Sequence, residues 1–229
     1  INSFYPAKYL NNFSDPLSYV EQSIYSLSLI LNLIKENIEI SKNIKKIIYT
    51  SSSSVYGNNN LCNENDVLIP LNLHSSLKIS SEKLVSNFCK EYKISHNIVR
   101  IFNMYGGNDS FSIISKIINS TLDNQIISLI NHGSAIRDFV HIDNVVDSYI
   151  KLLRSKGSKI VNIASGEGVS IKMILDYLKL QGYSLKIQNI QRSEIKISVA
   201  NIGVLNKFIN TNDFIQVINF ISQEIKNRK

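Results

Sequence analysis

Apolar residues recur at helical spacing across residues 16–41, at Leu17, Val20, Ile24, Leu27, Ile30, Leu31 and Ile34. This pattern predicts an amphipathic helix. Pro16 suits a first helical turn, and Asp15 before it can cap the free amides. Residues 44–50 read differently, as a short run rich in β-branched residues and bounded by Asn and Ser. They predict a buried strand. A polar loop follows over 57–72, then a second amphipathic helix over 75–92 and a second apolar strand over 97–102, ended by Asn103 and Gly106-Gly107. Further helices are predicted at 110–123, 143–154, 170–180 and 212–227, and strands at 125–130, 159–164 and 184–190. Strand, helix and strand in this order, with both strands apolar along their length, indicate an α/β fold built on a parallel sheet flanked by helices. The character changes near residue 108, so 1–107 and 108–229 read as a sheet domain and a smaller, mixed α/β lobe, with some segments of the second half returning to the first domain.

Composition narrows the class. The chain has 229 residues, 44% hydrophobic and 19% charged, which excludes a disordered or fibrous protein. Its net charge of +7 comes from lysines spread along the chain rather than from a basic stripe with interleaved aromatics, so nucleic acid is not the expected partner. Cys62 and Cys89 are too few and too far apart for a disulfide framework or a cysteine zinc site, and no metal is expected. The most apolar stretch, 23–34, is shorter than a bilayer requires and is interrupted by Ser and Asn. No membrane association is expected, and the reduced thiols fit a cytoplasmic location.

Three clusters carry chemistry. Thr50-Ser-Ser-Ser-Ser-Val-Tyr-Gly57 leaves the end of an apolar strand, where open parallel sheets bind ligands. His74, Lys78 and Glu82 lie four apart on the following helix and therefore share one face. A lysine one turn from a titratable group shifts that group's pKa through its positive charge. Arg100-Ile-Phe-Asn103-Met-Tyr-Gly-Gly107 is again a strand end that becomes a loop.

With Arg137-Asp-Phe-Val-His-Ile-Asp143 and Asn162-Ile-Ala-Ser-Gly166, these clusters make five ordered motifs. In that order they resemble the NAD-dependent epimerase/dehydratase family, the extended short-chain dehydrogenases that act on nucleotide sugars. The resemblance runs from about Asp15 to about Asn201. It implies a partial doubly wound, Rossmann-type parallel sheet lacking its first strands, with a smaller C-terminal substrate lobe. It also implies NAD as cofactor, a nucleotide-diphosphate sugar as substrate, and a homodimer through the helices near 16–41 and 73–93.

By the same resemblance Ser52, His74 and Lys78 occupy the catalytic hydroxyl, tyrosine and lysine positions, histidine standing where the family has its tyrosine base. Thr50, Ser51, Phe102, Gln22 and Lys78 fall on cofactor positions. Ser52, Asn103, Arg137 and Arg192 fall on substrate positions, the arginines suited to a diphosphate by their planar fork. Tyr56 matches a family position that is not the base. Family dehydratases carry a Thr-Asp-Glu run where this chain has Ser52, Ser53 and Ser54, which favours C4 epimerisation or 4-keto reduction over elimination. His132 and His141 read as structural. No G-x-x-G-x-x-G run is present, and Ile1-Asn-Ser-Phe-Tyr5 stands in place of the family's His-x-Ala-Ala. The expectation is a chain that starts where the family's fourth strand ends, roughly 60–80 residues, or two βαβ units, into the family's length. A remnant that binds a nucleotide sugar without turnover, or acts by dimerising, is the alternative reading.

Overall fold

The computed structural model describes residues 15–228; the reading of Ile1–Tyr5 therefore lies outside the described residues. Contacts divide the chain into two compact units, one of 1–57, 66–100 and 152–161, the other of 58–65, 101–151 and 162–229.

In the first unit the predicted long helix is broken. Asp15 caps the segment Pro16–Val20 by accepting from the Ser18 amide at 3.0 Å. A π turn follows at Glu21–Tyr25, and regular helix resumes over Ser26–Glu36. It stops at Asn37, whose backbone is extended, and a separate helix runs over Ile38–Asn43. Asn37 is a residue of low helix propensity, which suits it to the end of a helix. Leu27, Leu31 and Ile34 from this helix pack against Val85 and Cys89 of the helix Leu73–Glu91 and against Ile94 and Ile98. The strand predicted at 44–50 lies at Lys46–Ser52, where Lys46 Nζ donates to the Leu152 and Ser155 carbonyls. It belongs to a three-stranded sheet whose central strand, Ser95–Ile101, is buried from His96 to Arg100 and whose far strand is Lys159–Ile163.

The second unit holds a sheet that periodicity did not predict. Its order is Leu61–Cys62, Ile197–Ala200, Ile136–His141, Asn103–Tyr105, with Gly168–Ser170 antiparallel to Ile136–His141 and the other pairings parallel. Polar residues inside these strands hide the apolar alternation. Asp138, fully buried, accepts from the amides of Ser165, Gly166 and Ala200 and from Ser165 Oγ at 2.8–3.2 Å, so a carboxylate rather than an apolar side chain pins this sheet to its loop. A separate parallel pair, Ile126–Ile130 with Lys186–Ile190, lies at the observed ends of two predicted strands. Three helices, Ile113–Asp123, Ile171–Leu180 and Val217–Asn227, contribute Ile117, Ile174 and Ile221 to one core. The last begins five residues later than predicted because Thr211–Asp213 forms a 3-10 turn.

Gly57 closes the turn after the serine run at φ +62°, and a Cβ there would fall 2.0 Å from the Ile69 carbonyl oxygen. Ile69 N–H in turn donates to Val55 O at 3.1 Å. Gly57→Ala should therefore cost roughly 1–3 kcal/mol, read as a fall in thermal midpoint of about 2–12 °C by circular dichroism.

Candidate active site

The site of the first unit forms where a strand end meets a helix start. Ser52 Oγ accepts from the Ser54 amide at 3.2 Å, turning the chain into the 3-10 segment Ser53–Tyr56. This leaves Thr50, Ser51 and Ser52 at the carboxyl end of the strand. Ser54 Oγ is buried without a hydrogen-bond partner among the described residues.

The helix Leu73–Glu91 is started by a capping box, with Asn72 Oδ1 accepting from Ser75 N at 2.9 Å and Ser75 Oγ accepting from Asn72 N at 3.2 Å. Such a cap fixes where the helix begins, and the four-residue spacing then aims His74, Lys78 and Glu82 along one face. Lys78 Nζ donates to the Thr50 carbonyl at 2.9 Å and stands 5.2 Å from the centre of the Tyr49 ring. Glu82 accepts from Ser51 Oγ and takes a two-pronged bond from Arg100, Nε at 3.0 Å and Nη2 at 2.8 Å. Arg100 Nη1 donates to the Tyr56 hydroxyl at 3.0 Å. Glu82, Arg100 and Tyr56 are all buried. His74 Nδ1 lies 3.0 Å from the hydroxyl of Tyr19.

Burial pushes His74 down to about 4, helped by the charge of Lys78, so its imidazole is neutral near pH 7. Burial also lowers Lys78 to about 8, against the opposing pull of Glu82. Burial pulls Arg100 down as well, but its bonds and charge contacts with Glu82 and Tyr56 prevail and hold it above its ordinary value.

The structure thus brings Thr50, Ser51 and Ser52 together with Lys78 and, one turn earlier on the same helix, His74. Gln22 is exposed, and its side-chain amide donates to Ser18 Oγ at 3.0 Å. In the second unit Phe102 is buried and Asn103 Nδ2 donates to the Asp138 carbonyl at 2.9 Å. Arg137 Nη1 donates to its neighbour Ile136 O, while Nη2 meets Glu194 at 3.3 Å. Arg192 is exposed, with its backbone tied to the Asn131 side chain in both directions. A groove of about 460 Å³ runs past Asn131, Arg192, Glu194 and Lys196. Two participants had no assigned role in the sequence reading. Glu82 was visible as the third member of the i, i+4, i+8 row, whereas Tyr19 lies 55 positions from His74 and no local pattern marks it.

A profile of the NAD dependent epimerase/dehydratase family matches residues 4–164. The chain belongs to this family. It is 27% identical over 207 residues to the UDP-glucuronate 4-epimerase of Thermodesulfobacterium geofontis, covering 87% of this chain and 62% of that protein. It is 30% identical over 158 residues to the dTDP-D-glucose 4,6-dehydratase of Dictyostelium discoideum, covering 63% and 35%. The solved UDP-glucuronic acid 4-epimerase of Bacillus cereus, in complex with UDP-glucuronic acid and NAD, superposes with a TM-score of 0.85 at 24% identity, over 98% of this chain and 73% of that one. Family membership bears out the resemblance read from the five motifs, and the superposition bears out the Rossmann-type α/β fold. The chain spans less than two thirds of the length of both curated relatives, 62% of the first and 35% of the second.

Within this epimerase/dehydratase fold, Glu82 and Arg100 form a buried ion pair. Arg100→Met leaves a buried carboxylate unpaired and should destabilise the protein by about 3–5 kcal/mol in urea unfolding, whereas Glu82→Leu combined with Arg100→Met should cost clearly less than the two single changes summed.

Proposed function

We propose that this chain carries the sugar-handling chemistry of an NAD-dependent nucleotide-sugar 4-epimerase, which oxidises C4 to a ketone and re-reduces it. The observation that carries this reading is the bond from Lys78 to the Thr50 carbonyl at the hydroxyl-lined strand end, with His74 one helical turn earlier on the same face. The nicotinamide, when bound, supplies the hydride acceptor and donor. The residues present suit its nicotinamide end. Lys78 is fixed by the Thr50 carbonyl, and the Ser54 hydroxyl, without a partner among the described residues, marks a polar position at the strand exit. Thr50, Ser51, Phe102, Gln22 and Lys78 would hold that end.

On the sugar, Ser52 Oγ would bond the C4 oxygen and His74 would exchange its proton. The neutral imidazole offers that exchange one N–H donor and one unprotonated ring nitrogen as acceptor. Lys78 places a positive charge one turn away and disfavours a second one on the ring. Asn103, Arg137 and Arg192 would take the diphosphate, the arginines through paired N–H donors. A UDP-sugar substrate is supported by the named substrates of the T. geofontis and B. cereus relatives. Serines at 52–54, where elimination needs carboxyl groups, favour epimerisation or 4-keto reduction over dehydration.

The test is incubation of the purified chain with NAD and UDP-glucuronic acid or UDP-glucose, followed by chromatographic separation of the C4 epimers. Interconversion should be lost in Lys78→Met. In the wild type it should decline as pH rises through about 8, because Lys78 is charged below that value and neutral above it. Calorimetric binding of the UDP-sugar without turnover would instead support the non-catalytic reading, which the histidine at position 74 favours. So would activity that appears only in His74→Tyr.

Dimerisation belongs to the same proposal. Tyr25, Leu29 and Leu33 form an exposed apolar row at i, i+4 and i+8 on the helical segment 21–36, Leu33 at 62% exposure, which is the kind of face that pairs with a second copy. Leu29→Lys with Leu33→Lys should shift a dimer to monomer in sedimentation.

A further inference from the structure

The group that meets His74 belongs to a different helix. Tyr19 is only 4% exposed, and its hydroxyl lies 3.0 Å from His74 Nδ1. Immediately after Tyr19 the chain departs from α-helical geometry into the π turn Glu21–Tyr25, where Ser26 Oγ bonds the carbonyl of Glu21, five residues back. The extra residue of that turn matters. In a regular helix Tyr19 and Leu27 would point roughly 80° apart, but one inserted residue removes roughly 100° of rotation and returns both to the buried face. π turns are uncommon and concentrate at functional sites, and this one puts a phenol where His74 needs a partner.

Which atom carries the proton follows from acid–base strength. A phenol donates better than a neutral imidazole N–H, and the unprotonated ring nitrogen accepts better than a phenolic oxygen. Burial and the neighbouring Lys78 keep the ring neutral. The Tyr19 hydroxyl therefore donates to Nδ1, and the single imidazole proton resides on Nε2.

We propose that Tyr19 is a positioning residue that fixes His74 as the Nε2–H tautomer, so that His74 meets a sugar as a hydrogen-bond donor ready to protonate a C4 carbonyl oxygen. The inference rests on the proposed function for its substrate but not for its hydrogen bond. In the reduction direction the Nε2 proton would pass to the carbonyl oxygen, the nicotinamide, when bound, supplying the hydride for C4. The Tyr19 hydroxyl proton then moves to Nδ1 and leaves a phenolate, balanced by the Lys78 ammonium one helical turn from His74. Oxidation of the alcohol runs the same transfers backwards once the Tyr19–His74 pair has released one proton to solvent, which leaves Nε2 bare to take the alcohol proton while the Nδ1 proton returns to the phenolate. The arrangement restores a phenol to the acid–base chemistry of a site whose own tyrosine position is a histidine.

Imidazole 15N NMR of the intact chain tests this without any cofactor. The expected spectrum has Nε2 protonated and Nδ1 unprotonated, its resonance displaced by the accepted bond. Tyr19→Phe keeps the ring packing and should move the Nδ1 resonance to its unbonded position. A proton on Nδ1 in the wild type, or an unmoved Nδ1 in Tyr19→Phe, would overturn the proposal. If Tyr19→Phe does not fold, the wild-type tautomer alone decides. In turnover, Tyr19→Phe should lower kcat at least about tenfold with KM unchanged, since losing the group that sets a reactive histidine's tautomer costs up to about 10⁴-fold. The same change in a His74→Tyr background should have no effect on kcat, because the phenol then acts directly. An intact tautomer signature in a protein without turnover would reject the epimerase reading and uphold the Tyr19–His74 bond.

Discussion

The first unit depends on one buried ion pair. Glu82 and Arg100 bond through two parallel N–H···O contacts, and each extends the pair to a second element, Glu82 to Ser51 and Arg100 to Tyr56. Helix, central strand, edge strand and 3-10 turn are thereby tied at one point. A pair like this adds little net stability, because desolvating two charges offsets most of their attraction. What it supplies is geometry. A carboxylate with a two-pronged guanidinium has few alternative arrangements, so the helix cannot slide along the sheet without exposing a charge to apolar surroundings. Lys78, one turn before Glu82, inherits that register and meets the Thr50 carbonyl.

The electrostatics of the site follow from this placement. Burial lowers both Lys78 and His74, and their mutual repulsion lowers His74 further. A histidine in this position is thus held neutral and takes its orientation from a hydrogen bond instead of from a charge. In the second unit the corresponding anchor is Asp138. Three of its four accepted bonds fix the loop 165–166 against the strand that carries Arg137, the fourth comes from Ala200, and burial still pushes its carboxyl up to about 6. Arg137 itself is shared with Glu194, and under the proposed function a diphosphate has to compete with that carboxylate for the guanidinium.

The sequence made the α/β class, the two halves of helical and strand pattern, and the family motifs legible, because each rests on local periodicity or on residues fixed by short-range spacing. The row His74, Lys78, Glu82 is a direct consequence of helical geometry. So is the meeting of that row with the serine run, once the strand and the helix are known to be adjacent in an α/β fold. The break at Asn37, the π turn after Tyr19 and the polar strands around Asp138 were not legible. In the last two a tertiary contact outweighed the local pattern: a residue needed on a buried face, and a carboxylate satisfied by three distant amides.

What the sequence determined by itself is therefore the inventory of reactive groups and the helix face or strand end on which each stands. Only the tertiary structure decided their partners. Tyr19 and His74 are separated by 55 residues, Ser51 and Glu82 by 31, Arg100 and Tyr56 by 44. Hydrogen bonds depend on the final few tenths of an ångström and on direction. Those are fixed by packing across elements, and no periodicity along the chain encodes them.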